Sequence, residues 1–251
     1  ASSSSNQASY DLDKLSYSNT QKRWARRYEG AWLKETRYLS KNWRESIKVS
    51  QFPANSSVRT RAELDYLIKF HNSLSQKLKQ QILRERSLFS NGEFGQININ
   101  TIFFAEENPI QDLFIAIFQD LKIAVFHFKN KYNRVRPHYL ESKIKPFIFT
   151  PLHPSYPSGH STYAHVLAHL LSKLNPKNSE LFFKDAKRIG KNRELAGVHY
   201  PSDTAAGKQL ANDFFNNITA NPEIKVLLGK AQIYWEENNL SHNFIIAPKY
   251  K

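Results

Sequence analysis

Basic side chains at a seven-residue spacing mark the first of three segments whose residues could hold and attack an anion. Lys129 and Arg136 are seven residues apart, and on one continuous helix they would share a face two turns from each other. Pro137 disfavours helical geometry at the preceding residue, which places Arg136 near the end of that helix. Two cations on one face repel each other, and an anion between them would relieve the repulsion. Taken alone, a basic helix terminus that complements the helix dipole is the better explanation.

The second segment predicts the start of a helix that could bind the same anion. Pro157 and Ser158 are typical of a helix N-terminus, and Gly159 leaves the backbone accessible. Free amides at a helix N-terminus bind anions, and the Ser158 hydroxyl would add another donor. His160 would stand in the first turn as a proton carrier. The alternative is an ordinary capped helix that contains one histidine.

The third segment carries Arg193, His199 and Asp203. Arg193 and His199 are six residues apart, so a continuous helix would point them to different sides. Gly197 can adopt the left-handed conformation that ends a helix, and Pro201 suits the first turn of the next one. His199 and Asp203 then become neighbours, and a carboxylate that accepts one imidazole N–H leaves the other nitrogen as a nucleophile or ligand. The alternative is a helix–turn–helix in which Asp203 caps the second helix.

These segments need helices to position them, and the sequence predicts an all-α protein. Glycine is scarce, at 8 of 251 residues, 40% of the residues are apolar, and convincing alternating strand patterns are few. We expect a flexible polar N-terminus at residues 1–15 and a single helical-bundle domain at residues 16–251. Residues 90–101 are predicted to form a loop that could serve as a lid. Stretches 17–48 and 61–88 carry helix formers with apolar residues at three- and four-residue steps, which predicts helical structure in both. Individual helices are predicted at about 109–133, 158–174, 178–196, 201–218 and 221–238.

The composition excludes several classes of protein. The chain contains no cysteine, which excludes disulfides, thiolate metal sites, iron–sulfur clusters and cysteine nucleophiles. No apolar run approaches the roughly 20 residues of a membrane-spanning helix, because the best candidate, Ile110 to Phe128, is interrupted by polar and charged residues. The start at Ala1, followed by a run of serines, is typical of a processed N-terminus, and we therefore expect a periplasmic or secreted protein.

The chain is strongly basic, with a formal net charge of +14 from 36 Lys and Arg against 22 Asp and Glu. A charge of this size could mark a nucleic-acid-binding protein. The basic residues are spread along the chain at helical spacing, which favours a solvated basic surface, and we expect no stable nucleic-acid complex. The positive field would attract a small anionic substrate toward a cleft.

In chain order, the three segments read Lys-x6-Arg-Pro, Pro-Ser-Gly-His and Arg-x5-His-x3-Asp, and they closely resemble the motifs of the type 2 phosphatidic-acid phosphatase and vanadium haloperoxidase superfamily. The resemblance covers about residues 109–218. Asn192 departs from the family pattern, in which serine commonly precedes the arginine, although an asparagine side chain can still form hydrogen bonds. The chain is most similar to the soluble bacterial non-specific acid phosphatases, because Pro137 and Pro157 are only 20 positions apart and haloperoxidases usually carry larger insertions there.

The resemblance implies a helical bundle with a site for tetrahedral phosphate or its mimic vanadate, and it implies a role for each motif residue. His199 would attack phosphorus and form a phosphohistidine, and Asp203 would orient it. His160 would protonate the leaving alcohol and then activate water. No metal is implied, because fixed cations neutralise the phosphate charge. The residues that would bind the phosphoryl oxygens are Lys129, Arg136, Ser158, Gly159 and Arg193.

The sequence thus predicts a metal-independent phosphomonoesterase that needs no cofactor and acts on a small phosphorylated substrate. The alternative is a vanadium-dependent haloperoxidase, in which the same pocket would hold vanadate with His199 as its ligand and His160 as the acid–base partner of bound peroxide. A third hypothesis is a non-catalytic basic binding module, which predicts that His199→Ala leaves the function intact. The sequence does not predict an oligomeric state.

Overall fold

Helices make up nearly all the regular structure in the part of the chain that the computed structural model describes, which is residues 11–21, 23–85 and 106–241 together with the backbone of 93–94 and 97–98. In these residues, an antiparallel hairpin of two-residue strands, β1 (Glu93–Phe94) and β2 (Ile97–Asn98), pairs Glu93 with Asn98 and Phe94 with Ile97. The all-α helical-bundle prediction is confirmed. The helices are α1 (Tyr17–Thr20), α2 (Trp43–Ser46), α3 (Val58–His71), α4 (Gln76–Arg84), α5 (Pro109–Tyr132), α6 (Pro137–Leu140), α7 (Gly159–Leu174), α8 (Ser179–Leu195), α9 (Pro201–Thr219) and α10 (Pro222–Glu237), with 3-10 turns at Ala31–Leu33 and Pro176–Asn178.

The long helix α5 begins at Pro109 because the preceding residue caps it. The Asn108 side chain accepts hydrogen bonds from the amides of Ile110 and Gln111, and proline suits the first helical position. Most of the helix surface beyond this cap is apolar, and the apolar side chains on its inner side are buried. Each such side chain contributes about 1.5–3 kcal/mol through burial. The inner side of α5 therefore forms part of the main core, together with residues of α7, α8, α9 and α10.

Helix α7 lies between α8 and α9 and also contacts α5 and α10. Helix α9 lies close to the first turn of α7 at Gly207. A Cβ atom added to Gly207 would lie 2.7 Å from the Ser158 carbonyl oxygen and 2.9 Å from Ser161 Cβ. A larger residue at Gly207 would push these two helices apart. This close approach brings the start of α9 against the start of α7.

The stretch 17–48, predicted to be helical, is mostly not helical. Its described residues, 17–21 and 23–48, contain α1, one 3-10 turn and α2 among otherwise non-helical residues. The buried Asp120 carboxylate on α5 accepts hydrogen bonds from three consecutive backbone amides of the segment, at 2.7–3.0 Å: Arg37, Tyr38 and Leu39. Amides bound to a side chain are not available to a helical ladder, so the segment follows the surface of α5 instead.

The stretch 61–88, predicted to be helical, contains parts of two helices, α3 and α4, in its described residues 61–85. Ser57 caps α3 and Ser75 caps α4, each by accepting a hydrogen bond from the amide three residues later. The second cap starts a new helix after a break at residues 72–75, a local signal that the apolar periodicity concealed. By contrast, α5, α7, α8, α9 and α10 agree with their predicted bounds to within one residue.

Other predictions concern the chain ends and the lid. Residues 1–10 lie outside the described residues. The predicted lid at 90–101 also lies outside them, except for the backbone of β1 and β2. Near the predicted domain boundary, the Asn55 side chain donates to the carbonyls of Leu12 and Leu15, both at 3.0 Å. The boundary at residue 15 itself stays a prediction. Within the described ranges, we find no helix with the length and apolarity that crossing a bilayer requires.

Candidate active site

The first segment does not form one helix, and that part of the prediction is wrong. Helix α5 ends at Tyr132, and Asn133 adopts the left-handed conformation, with φ +50°, that terminates it. Arg136 is extended, as expected before proline, and lies directly before the first residue of α6. Lys129 and Arg136 therefore come from different elements, although both side chains reach the loop at residues 153–157.

Lys129 is fully buried and its ammonium group binds backbone carbonyls. Nζ donates to the oxygens of Pro154 at 2.8 Å and Pro157 at 2.6 Å, with Ser155 O at 3.5 Å. Burial lowers the pKa of Lys129 well below its ordinary value, Arg136 lowers it further, and Asp203 acts in the opposite direction. Lys129 thus holds the loop that leads into α7, and it provides a buried positive charge there.

Arg136 links this loop to the third segment. Its Nε and Nη2 donate to His153 O at 3.2 and 2.9 Å, and its Nη1 donates to Val198 O at 2.9 Å. The same Nη1 lies 3.1 Å from Nε2 of His199. Burial lowers the pKa of Arg136 to about 10, against the opposing effect of Asp203. Arg136 remains a cation near neutral pH.

The second segment starts α7 as predicted. Ser158 is the N-cap, its Oγ accepts from Ser161 N at 3.3 Å, and its own amide donates to the Asp203 carbonyl at 3.0 Å. Gly159 is the first helical residue, and a Cβ there would lie 3.9 Å from Lys129 Cε. His160 follows in the first turn and is close enough to His199 for its charge to lower the pKa of that imidazole. The segment therefore lies beside Lys129 and His199.

The third segment turns at Gly197 as predicted. Gly197 has φ +82°, its amide donates to Glu194 O at 2.8 Å, and the amide of Val198 donates to Arg193 O at 3.2 Å. These two bonds form the Schellman motif that ends α8. Pro201 starts α9, so His199 lies in the short connection between two helices. This turn brings His199 back toward the residues of the other segments.

His199 and Asp203 form a buried pair. His199 Nδ1 lies 2.9 Å from Asp203 Oδ2, and that oxygen also accepts from Tyr200 N at 3.0 Å and from the Ser155 hydroxyl. Burial lowers the pKa of His199 well below its ordinary value, and nearby cations lower it further: Arg136, Lys129, Arg193 and His160. The imidazole is therefore neutral, its Nδ1–H is donated to Asp203, and its lone pair is on Nε2.

Arg193 differs from the other cations of the site. It is 3% exposed, and within the described part of the chain its Nε and Nη1 have no hydrogen-bond partner. Burial and the neighbouring Arg136 lower its pKa to about 9, and Glu85 acts in the opposite direction. Buried donors without acceptors are costly, and an oxyanion would satisfy them. Of the three cations predicted to bind the phosphoryl oxygens, Lys129, Arg136 and Arg193, it is Arg193 whose buried donors are available to a ligand in the described part of the chain.

Sequence reasoning missed the residues on the far side of Asp203. Arg134 Nη1 donates to Asp203 Oδ1 at 2.7 Å, and Ser202 links Arg134 to Glu63 of α3. Arg134 lies two residues before Arg136 in the first segment, and this proximity in sequence was the available signal. No local pattern indicated Glu63, which is 139 positions from Ser202.

Asn192, the departure from the family pattern, also has a defined partner. Its Nδ2 donates to Oε2 of Glu85 at 2.6 Å, and Glu85 also pairs with Arg188. Because Glu85 is the carboxylate that favours the charged form of Arg193, Asn192 helps to fix the surroundings of that guanidinium.

Comparison with known proteins confirms the resemblance that the motifs predict. Residues 113–211, which include every motif residue from Lys129 to Asp203, match the PAP2 superfamily. The chain is 32% identical over 108 residues to a non-specific acid phosphatase of Providencia stuartii, a match covering 41% of this chain and 44% of the relative. A non-specific acid phosphatase of Salmonella typhi is 31% identical over 121 residues, 47% of each protein. The matched part is therefore less than half of each relative.

The fold is similar to that of a solved haloperoxidase. The crystal structure described as the first bacterial vanadium-dependent iodoperoxidase superposes with a TM-score of 0.55 at 16% sequence identity, covering 70% of this chain and 52% of that chain. At this level of identity, the similarity concerns the fold and carries no information on the reaction.

Proposed function

We propose that this chain, whose residues 113–211 match the PAP2 superfamily, is a metal-independent phosphomonoesterase that acts through a phosphohistidine at His199. One observation supports the proposal most strongly. A neutral imidazole, oriented by Asp203, presents its Nε2 lone pair next to buried cations, and one of these, Arg193, has two donors without an acceptor among the described residues. This arrangement joins a nucleophile to an oxyanion site.

In the first step, His199 Nε2 attacks phosphorus while the bond from phosphorus to the leaving oxygen breaks. The Arg136 Nη1 donor, which lies 3.1 Å from Nε2, exchanges that contact for a phosphoryl oxygen. Arg193 donates to the same phosphoryl group, and the buried Lys129 contributes its positive charge. His160 gives a proton to the leaving alkoxide, and Asp203 stabilises the positive charge that develops on the imidazole.

In the second step, a water attacks the phosphohistidine. The neutral His160 takes a proton from that water, the P–N bond breaks, and inorganic phosphate leaves. His199 returns to its neutral form with Nδ1–H on Asp203. Because the same cations face the phosphoryl group in both steps, no metal ion is needed to neutralise its charge.

The test measures hydrolysis of p-nitrophenyl phosphate by the purified full chain, once in EDTA and separately in EDTA-free buffer with and without vanadate. We expect hydrolysis that persists in EDTA and that vanadate inhibits, and a phosphoenzyme from radiolabelled substrate after quenching in alkaline denaturant, which preserves P–N bonds. His199→Ala should abolish both turnover and labelling, because the variant has no nucleophile. Labelling that survives in His199→Ala would contradict the proposed intermediate.

The other two hypotheses are tested on the same protein by a halide-oxidation assay and a phosphate-binding assay. Oxidation of bromide or iodide by peroxide and vanadate, without ester hydrolysis, would replace the proposal with the haloperoxidase. Phosphate binding without any turnover, unchanged in His199→Ala, would replace it with the binding module. We further propose a small phosphorylated substrate and a periplasmic or secreted location, which cell fractionation would test.

A further inference from the structure

The carboxylate of Asp203 is held on both oxygens. Oδ2 receives the His199, Tyr200 and Ser155 donors, whereas Oδ1 receives Arg134 Nη1 at 2.7 Å. The side chains of Arg134 and Asp203 are both completely buried. A carboxylate with a donor on each oxygen cannot rotate without breaking buried hydrogen bonds. Arg134 therefore fixes the orientation of the Asp203 carboxylate toward His199.

Arg134 is itself fixed by several contacts. Its Nη1 also donates to Ser202 Oγ at 2.8 Å, and its guanidinium carbon lies 3.6 Å from the centroid of the Tyr200 ring and 4.9 Å from that of Phe52. Stacking on an aromatic face defines the plane of the guanidinium group. The direction of the Arg134–Asp203 hydrogen bond is thus determined by packing.

Glu63 of α3 completes this arrangement from outside the matched residues 113–211. Its Oε2 accepts from Ser202 Oγ at 2.7 Å and lies 3.7 Å from Arg134 Nη2, and its side chain is 9% exposed. Burial raises the pKa of Glu63, while the Ser202 hydrogen bond and Arg134 favour its charged form. The Arg134 guanidinium therefore interacts with two carboxylates, those of Asp203 and Glu63, and Glu63 provides the second negative charge.

We propose that Glu63 and Arg134 are positioning residues that hold Asp203, and through it the Nδ1–H tautomer of His199. The catalytic importance of this positioning rests on the proposed function, since His199 is the nucleophile there. Neither residue touches the phosphoryl group. Their loss should therefore lower kcat and leave the KM of the substrate nearly unchanged, because ground-state binding depends on other side chains.

The first experiment compares kcat and KM of Glu63→Gln and Arg134→Lys with those of two matched controls. Asp65→Asn and Arg61→Lys make the same chemical changes on α3, at side chains that are 64% and 49% exposed and that do not contact Asp203. We expect kcat to fall about tenfold or more in the first pair with KM within about twofold, and both values to stay unchanged in the controls. An unchanged kcat in folded Glu63→Gln and Arg134→Lys would overturn the proposal.

Ser202→Ala keeps the proposal testable if the larger changes prevent folding. It removes only the hydroxyl that joins Glu63 to Arg134, and we expect a smaller fall in kcat at wild-type KM. Wild-type kcat in folded Ser202→Ala, with Glu63→Gln and Arg134→Lys unfolded, would mean that this network only supports the fold, and it too would overturn the proposal.

The second experiment measures the tautomer of His199 directly, without substrate. In ¹⁵N spectra of histidine-labelled protein, with the signals assigned by His199→Gln, wild-type Nδ1 should appear protonated and Nε2 unprotonated. In Glu63→Gln and Arg134→Lys, the two signals should move toward each other as both tautomers become populated, and they should stay in place in Asp65→Asn. Unshifted signals in the folded variants would overturn the positioning role. A wild-type chain without phosphatase activity would instead contradict the proposed function.

Discussion

At the scale of single residues, the buried cations near His199 differ in what their donors already bind. Lys129 donates to backbone carbonyls and Arg136 to carbonyls and His199, whereas Arg193 keeps two donors without a partner in the described part of the chain. Residues that the sequence predicts as equivalent phosphate ligands therefore have different energetic roles. We propose that Arg193 favours anion binding at the expense of stability, whereas Lys129 supports the loop before α7.

This difference predicts opposite effects of removing each charge. Arg193→Met should weaken inhibition by vanadate about tenfold or more, since a hydrogen bond to a charged group contributes roughly 1.5–3 kcal/mol. Its free energy of unfolding should be unchanged or higher, because the variant no longer buries an unpaired guanidinium. Lys129→Met leaves the carbonyls of Pro154 and Pro157 without their donor. We expect its free energy of unfolding to fall by about 1–3 kcal/mol.

Urea unfolding and vanadate inhibition of p-nitrophenyl phosphate hydrolysis measure the two effects. Equal destabilisation by Arg193→Met and Lys129→Met would show that the unpartnered donors of Arg193 carry no energetic cost.

At the scale of elements, the site is assembled from helix ends. The first turn of α7 and the first turn of α9 meet at Ser158 and Asp203, and the C-terminal turn of α8 brings in Arg193. In the N-terminal segment, the backbone amides at 37–39 are held by one carboxylate, Asp120 of α5, which accepts from all three. Docking of the stretch around these amides is thus expected to depend strongly on that side chain.

We expect Asp120→Asn to reduce the free energy of unfolding by at least about 2 kcal/mol, because an amide keeps only one acceptor oxygen for these buried donors. Hydrogen exchange should accelerate at the amides of Arg37, Tyr38 and Leu39. The control, Asp112→Asn, changes an exposed carboxylate on the same helix and should lower the free energy of unfolding by no more than about 1 kcal/mol. Unaltered exchange at the three amides in Asp120→Asn would refute this account of docking.

At the scale of the whole molecule, a strongly basic chain buries a cluster of acids behind its cationic site. Glu194 on α8 is one of them, and burial raises its pKa to about 7. Thr204 and Lys191, whose Nζ lies 3.9 Å away, lower that pKa, whereas Asp203 and Glu63 raise it. The folded protein therefore binds a proton more tightly at Glu194 than the unfolded chain does.

The sign of the resulting pH dependence follows from linkage. Since the pKa of Glu194 is higher in the folded state, its contribution to stability is present at low pH and is lost as pH rises toward and through about 7. Relative to wild type, Glu194→Gln should gain roughly 2–3 kcal/mol in unfolding free energy between pH 5 and pH 8. Glu180→Gln, at an exposed position of the same helix, should follow the wild-type curve. Parallel curves for Glu194→Gln and wild type would contradict the prediction.

The sequence by itself determined the features that depend on neighbours along the chain. The bounds of the five C-terminal helices α5 and α7–α10, the cap at Ser158 and the turn at Gly197 all follow from contacts within a few residues. The pairing of His199 with Asp203 has the same origin. The left-handed Asn133 is an exception, because its side chain and carbonyl bind residues 17–18 and thereby end α5 early.

Only the tertiary structure decided which polar groups meet across distant elements. It gave mostly non-helical backbone at 17–48, where Asp120 binds the amides at 37–39, and it brought Glu63 to Arg134. It also left two donors of Arg193 without an acceptor among the described residues. Sequence periodicity reports which side of an element is apolar. It does not report which buried donor finds an acceptor, because that depends on the packing of residues separated by up to 139 positions.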